Sequence, residues 1–79
     1  MIGEVIAVSN INIKVFVKDN KNIKLNDILY IDNNGKKHLM EVVEIDSKIL
    51  TCIPFSSVIG ISKGLPVYFY SNGLEMEYS

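Results

Sequence analysis

The chain has 79 residues, a net charge of −1 and a hydrophobic fraction of 48%. A chain of this length forms one small domain with a limited core, so residues 1–79 are assigned to a single domain. No apolar run reaches the roughly 18 residues that a membrane helix needs, and no charged leader precedes an apolar segment. We therefore expect a cytoplasmic protein with no direct membrane insertion.

Every basic residue is a lysine, and the only cysteine, Cys52, excludes an intrachain disulfide. Arginine supplies the bidentate contacts on which many nucleic-acid-binding proteins rely, so its absence argues against nucleic acid as a partner. A metal site needs several ligands, and one cysteine with one histidine provides few. We expect Cys52 to be a small buried hydrophobe, His38 to be solvated beside a turn, and the chain to bind no cofactor and no metal.

Alternation of apolar and polar residues predicts β-strands from the start of the chain. The first strand covers residues 2–8, and the strongest alternation follows at residues 11–18. This second strand places Lys14, Phe16 and Lys18 on its outer face, because successive side chains point to opposite sides of a strand. The row that faces the core is Ile11, Ile13, Val15 and Val17.

The later strands are separated by residues that favour turns. We predict strands at residues 28–32, 38–45, 49–54, 65–70 and 74–78. Asn34-Gly35 and Asn72-Gly73 are typical of two-residue hairpins, and residues 46–48 form a tight turn. Residues 56–64 are the longest irregular segment, where Gly60 and Gly64 supply positive φ angles.

These elements predict an all-β fold. No segment shows a sustained helical period, and six or seven short strands at spacings of roughly ten residues indicate a barrel or a sandwich. A closed barrel leaves no exposed sheet edge. The predicted fold is therefore a small closed six- to seven-stranded antiparallel β-barrel.

The sequence lacks a catalytic motif. Its glycines lie at positions 3, 35, 60, 64 and 73, a spacing that forms neither a phosphate-binding loop nor a dinucleotide-binding fingerprint. Glu41 and Glu44 are three residues apart and are expected on opposite faces of a strand. Glu75 and Glu77 share a face, as a solvated acidic rim does. We expect this chain alone to have no enzymatic activity, no catalytic residues and no ATP binding.

The order of the motifs resembles the N-terminal β-barrel of the HerA/ATP-synthase type. Ile2-Gly3-Glu4-Val5-Ile6-Ala7-Val8 is similar to the start of that barrel, and the segments at residues 40–45 and 49–55 resemble its central hairpin. Residues 60–67 and 72–77 resemble its closing turn and its exit, although Glu77-Tyr78-Ser79 replaces the usual Pro-Val-Gly. In rotary ATP synthases, flagellar and type III secretion ATPases and HerA-like translocases, this barrel precedes the P-loop domain.

The resemblance implies an assembly domain. In that family six barrels pack side by side into a crown that holds the ATPase ring together, so the implied partners are neighbouring ATPase subunits through barrel–barrel contacts. Any ATPase activity would lie in a C-terminal domain. An outward aromatic side chain such as Phe16 can anchor an interface. The candidate interface residues are Lys14, Phe16, Lys18, Glu41, Glu44 and Asp46.

A stand-alone barrel of oligonucleotide-binding type, with nucleic acid or a protein as its partner, is the alternative. Phe16 lies between Lys14 and Lys18, and such surfaces interleave basic and aromatic residues. The absence of arginine and tryptophan and the slightly acidic net charge argue against nucleic acid. No residue favours a third class, an isolated substrate-binding module of an enzyme.

Overall fold

Six antiparallel strands close into one barrel in the computed structural model, which describes residues 1–71. Their order around the barrel is β1-β2-β5-β4-β3-β6, and β6 pairs with β1 to complete it. The strands are β1 (Gly3–Val8), β2 (Ile13–Val17), β3 (Ile28–Asn33), β4 (Lys36–Asp46), β5 (Ile49–Pro54) and β6 (Pro66–Ser71). Since residues 1–71 contain no helix, the predicted all-β closed antiparallel barrel is confirmed. The strand predicted at residues 74–78 and the Asn72-Gly73 hairpin lie outside the described residues.

Side chains at alternate positions of the strands fill the inside of the barrel. On β2, Ile13, Val15 and Val17 are fully buried, as the alternation predicts. Most of the other core residues are also aliphatic, and β-branched side chains pack well on a pleated sheet. The predicted burial of Cys52 is confirmed. The fully buried side chains from the other strands are Val5, Leu29, Ile31, Met40, Val42, Leu50, Cys52 and Val67.

The turns follow the local sequence. Asn34 and Gly35 join β3 to β4 with φ angles of 56° and 91°, and two positive φ angles define the turn that matches the twist of a hairpin. Ser47, with φ of 59°, turns the chain between β4 and β5. The predicted positive φ angles of Gly60 and Gly64 are confirmed at 91° and 92°.

The prediction that Ile11 faces the core is wrong, because its side chain is 73% exposed. β2 begins only at Ile13. The Ser9 hydroxyl oxygen accepts hydrogen bonds from the backbone N–H groups of Ile11 and Asn12, at 3.3 and 3.1 Å. A serine that caps its own turn in this way competes with strand geometry, so the apolar alternation does not extend into the turn.

The prediction that His38 is solvated is also wrong. β4 begins at Lys36, two residues before the predicted start, so His38 lies within the strand and only 8% of its surface is exposed. The next inward-facing residue on β4, Met40, is fully buried. The tight hairpin allows pairing to continue up to the turn, which draws this histidine inside.

A β-bulge at Val43 overturns the expected arrangement of the two glutamates on β4. Val42 pairs with Cys52, but the next paired residue on β4 is Glu44. The extra residue in a bulge shifts the alternation by one position. Glu41 and Glu44 therefore share the outer face, and Ile45 returns to pack against the core.

The barrel closes along a short seam between β1 and β6. Gly3 pairs with Val67 and Glu4 with Pro66, and the N–H of Gly64 donates to the carbonyl of Val5 at 2.7 Å. At Gly3 the chain also approaches β2 closely, since an added Cβ would overlap the carbonyl oxygen of Phe16. Only glycine fits this position without moving backbone.

Substitution Gly3→Ala is expected to lower the free energy of unfolding by about 1–3 kcal/mol, the usual cost of overpacking. The added methyl group would collide with the Phe16 carbonyl and lie 2.7 Å from a methyl carbon of Val17. Urea unfolding followed by circular dichroism measures the change. The control is Glu4→Ala at the next, exposed position, which should change stability by less than about 0.5 kcal/mol. Equal effects of the two substitutions would contradict the close approach.

Substitution His38→Leu is expected to raise the free energy of unfolding by about 1 kcal/mol or more. Among the described residues, the buried Nε2 of His38 has no hydrogen-bond partner, and an unsatisfied buried polar group costs about 1–3 kcal/mol. Leucine keeps most of the volume without the polar atom. Urea unfolding again gives the measurement, and a loss of stability in His38→Leu would show that Nε2 is satisfied in the folded protein.

Candidate interaction surfaces

The interior holds the only cysteine of the chain, and burial makes its thiol unreactive. Cys52 is fully buried, and burial raises the pKa of its thiol to about 12. A thiolate is the nucleophile and metal ligand, so this thiol is inert in the folded state. Among residues 1–71, no three His, Cys, Asp or Glu side chains are grouped so that they can hold a metal ion.

A half-open cavity of about 260 Å³ lies beside the end of β2. Lys18, Asp19 and Phe69 are among the residues that line it. Pockets for small ligands usually measure roughly 300–1,000 Å³ and enclose most of the ligand. This cavity is smaller and open, so the geometry favours the outer wall of the barrel as the functional surface.

One surface of the outer wall is formed by β2, β5, the end of β4 and Glu4 of β1. Phe16 points outward between the buried Val15 and Val17, and its ring remains 37% exposed. It pairs with Glu4 on one side and with Ile49 on the other, and Ile49 in turn pairs with Asp46. This gives one row across the sheet in which two apolar residues lie between two carboxylates.

The next row of this surface contains Lys14, Thr51 and Glu44, paired in that order across β5. The Nζ of Lys14 donates a hydrogen bond to the Thr51 hydroxyl at 2.9 Å, so its aliphatic stem covers Thr51. Glu44 is exposed on the other side. We call the two rows the Phe16 wall. Its residues are Glu4, Phe16, Ile49, Asp46, Lys14, Thr51 and Glu44.

The structure thus brings together four of the six residues predicted from the sequence, namely Lys14, Phe16, Glu44 and Asp46. Lys18 is exposed just beyond the end of β2 and lines the cavity instead. Glu41 precedes Glu44 on β4 and lies outside this group. Its carboxylate accepts a hydrogen bond from the Asn26 side-chain amide at 2.7 Å.

A second surface, which the sequence analysis missed, is formed by β3 and β6. The ring of Tyr30 stacks on that of Tyr68, with centroids 5.3 Å apart and planes inclined by 21°. Tyr70 meets Tyr30 edge-on at 6.3 Å and is 53% exposed. The Nζ of Lys37, on β4, lies 5.1 Å from the Tyr30 centroid. We call Tyr30, Tyr68, Tyr70 and Lys37 the tyrosine face.

The signal for the tyrosine face is present in the sequence but incomplete. Tyr30 alternates with Leu29 and Ile31, and Tyr68 and Tyr70 alternate with Val67 and Phe69, which predicts that the tyrosines point outward. Their meeting depends on the pairing of β3 with β6. These strands are far apart in sequence, so local alternation does not reveal the cluster.

The fold and its outer surfaces define a small closed β-barrel. The sequence matches the family model described as ATP synthase alpha/beta family, beta-barrel domain, over residues 8–70. The chain therefore belongs to the ATP synthase alpha/beta family, as its β-barrel domain. The resemblance stated from the motifs is thereby confirmed. A comparison with curated proteins finds no match.

Solved structures with the same fold include the assembled ATPase EscN from the type III secretion system of enteropathogenic E. coli, and the same ATPase in complex with its central stalk EscO. Each superposes with a TM-score of 0.73 at 21% identity and covers 89% of this chain. The present chain spans 16% of the EscN chain. None of residues 1–71 forms a helix long and apolar enough to cross a membrane.

The Cys52 thiol is expected to resist a thiol-specific reagent at pH 8 for as long as the chain is folded. Its folded-state pKa of about 12 lies above the ordinary value of 9.0 because the thiolate would be desolvated, so almost no thiolate forms at this pH. Labelling should be at least about 100-fold slower than in urea-unfolded chain, as expected for a group that reacts only after opening. Equal rates with and without urea would contradict a buried thiol.

Proposed function

We propose that this chain is a non-catalytic assembly domain that packs side by side with copies of itself on a hexameric P-loop ATPase in the cytoplasm. Such barrels form a crown that holds the ring of subunits together, in an ATP synthase, a secretion ATPase or a HerA-like translocase. The observation that carries the proposal is the Phe16 wall in a chain that belongs to the ATP synthase alpha/beta family as its β-barrel domain. Membership of the family supports a role in subunit assembly, and the Phe16 wall supplies an exposed surface against which a neighbouring barrel can pack.

The Phe16 wall has the composition of a small protein interface. Phe16 and Ile49 form an apolar centre, and Glu4, Asp46 and Lys14 surround it with charge. Interfaces commonly have an apolar core and a polar rim, with aromatic residues enriched in the core. Rim charges of both signs fix the register of a contact and contribute little affinity when they stay exposed.

The size of the wall predicts weak association of the isolated barrel. A stable interface buries roughly 800 Å² per partner, and the seven residues of the wall, on four strands, offer less. In a ring, the subunits held by their other domains raise the effective concentration of neighbouring barrels, so a weak contact suffices. A surface of this kind therefore acts within an assembly and leaves the free domain largely monomeric.

The first test of this proposal is self-association of the chain. It should be monomeric at micromolar concentration and should associate with a Kd of roughly 0.1–1 mM, as a contact below standard interface size implies. NMR spectra of the ¹⁵N-labelled chain recorded from about 20 µM to 2 mM, a range that brackets this Kd, should show concentration-dependent shifts at Phe16 and Ile49. Phe16→Ala should weaken association about tenfold while the barrel remains folded.

The matched control is Ile11→Ala, since Ile11 is a more exposed apolar residue in the turn outside β2. This variant should associate like the unaltered chain. Absence of concentration dependence in the unaltered chain would contradict the assembly role. The nucleic-acid alternative would instead show sub-micromolar, salt-sensitive binding to a single-stranded oligonucleotide that Phe16→Ala abolishes. We expect such binding to be no tighter than about 100 µM at physiological salt.

A further inference from the structure

The tyrosine face is an organised aromatic surface that the core does not require. The rings of Tyr30, Tyr68 and Tyr70 lie outside the barrel, on the opposite side of the sheet from Leu29, Ile31 and Val67. Their stacked and edge-on geometries are those that aromatic pairs prefer. With Lys37 over the Tyr30 ring, the cluster is ordered before any partner binds, which reduces the entropy that binding must overcome.

We infer that the tyrosine face is the docking surface for the Phe16 wall of a neighbouring copy of this chain. This inference rests on the proposed assembly function and names the second half of its contact. A closed ring of identical subunits is built from head-to-tail interfaces, in which two different patches of each subunit meet. The Phe16 wall alone supplies only one of the two patches.

The positions of the two surfaces suit a head-to-tail contact. Around the closed sheet β2 and β3 are three strands apart in either direction, by way of β5 and β4 or by way of β1 and β6. Phe16 on β2 and Tyr30 on β3 therefore face opposite sides of the barrel. One barrel can use its Phe16 wall toward one neighbour and its tyrosine face toward the other without overlap.

The chemistry of the two surfaces is complementary. The exposed ring of Phe16 can pack against the rings of Tyr68 and Tyr70, and Tyr70 has the exposed area to receive it. Lys37 is exposed beside these rings, and Glu4 and Asp46 flank Phe16 on the other copy. Aromatic residues with a polar end are enriched where one side of a contact is apolar and the rim is wet.

The pairing extends across the tyrosine face into a longer apolar row. Tyr30 pairs with Leu39 on β4, and the N–H of Phe55 donates to the Leu39 carbonyl at 3.0 Å. Phe55 is 57% exposed. The receiving surface therefore extends over β6, β3 and β4, with Phe55 at its border just after β5, and this width lets one copy dock with several side chains in contact.

A mixing experiment with two variants of the full 79-residue chain tests this pairing. Phe16→Ala damages the wall and leaves the tyrosine face intact, whereas Tyr70→Ala damages the face and leaves the wall intact. Each variant alone should associate at least about tenfold more weakly than the unaltered chain. In an equimolar mixture, the intact Phe16 wall of Tyr70→Ala can dock on the intact tyrosine face of Phe16→Ala. Sedimentation should therefore detect heterodimers and no larger species.

The position of the contact is read from ¹⁵N-labelled samples in that mixture. Labelled Phe16→Ala should show amide shifts at Tyr30 and Tyr68, and labelled Tyr70→Ala should show them at Phe16 and Ile49. Tyr68→Thr, which places a residue of high strand propensity on the same face, is the second variant if Tyr70→Ala unfolds. Ile59→Ala, at a position that is 84% exposed in the loop before β6, is the control and should associate normally.

The outcomes separate this pairing from the assembly function itself. If Phe16→Ala abolishes association while Tyr70→Ala and Tyr68→Thr associate normally, the assembly role stands and the tyrosine face is not its partner surface. Failure of the mixture to restore dimers overturns the pairing in the same way. If the unaltered chain does not associate at all, the proposed function and this pairing are both contradicted.

Discussion

Closure of the sheet between β1 and β6 is the constraint on which the rest of the barrel depends. Only Gly3 and Glu4 of β1 pair with β6, and the chain must return through the loop before Pro66 to make this contact. Backbone hydrogen bonds from Ile2 to Val67 and from Gly64 to Val5 extend the seam at 2.8 and 2.7 Å. Without closure, β1 and β6 would both be exposed edges that invite non-native pairing.

Closure also explains how a chain of this size obtains a core. A small barrel has room inside for side chains only, so the inward positions are apolar and of suitable volume except at the buried His38. β2 shows the result most clearly, because each inward residue is fully buried while Phe16 between them faces outward. With the interior fully used for packing, recognition is left to the outer face, which is where both candidate surfaces lie.

Most of the strands were predictable because their alternation is a local property. The bounds of β5 at Ile49–Pro54 and the Asn34-Gly35 turn follow directly from neighbouring residues. Ile11 shows the limit of this reasoning, because a serine hydroxyl two residues earlier in the chain organises the turn and outweighs the apolar pattern. His38 shows the complementary error, because a tight hairpin lets β4 begin at Lys36, before the point where the polar residues suggest its start.

The candidate surfaces were predictable only in part, since they depend on which strands are neighbours. Lys14 and Phe16 were assigned to the outer face from alternation alone, but their position beside Glu44 and Asp46 requires β5 to lie between β2 and β4. The bulge at Val43 is equally invisible in the sequence, yet it turns Glu44 to the same side as Glu41. The tyrosine cluster needs β3 to pair with β6, a contact across more than thirty positions of the chain.

The antiparallel order of the strands gives the two surfaces different neighbours and therefore different chemistry. The wall lies where β5 separates β2 from β4, so charged residues from β1 and β4 border Phe16 at both ends of its row. The tyrosine face lies where β3 and β6 are adjacent, so tyrosines from both strands meet without a charged residue between them. A symmetric pair of barrels would need only one such surface, used twice. Two unlike surfaces on opposite strands are what a barrel needs to contact a different neighbour on each side, so the closed topology that builds the core also separates the two halves of the proposed ring contact.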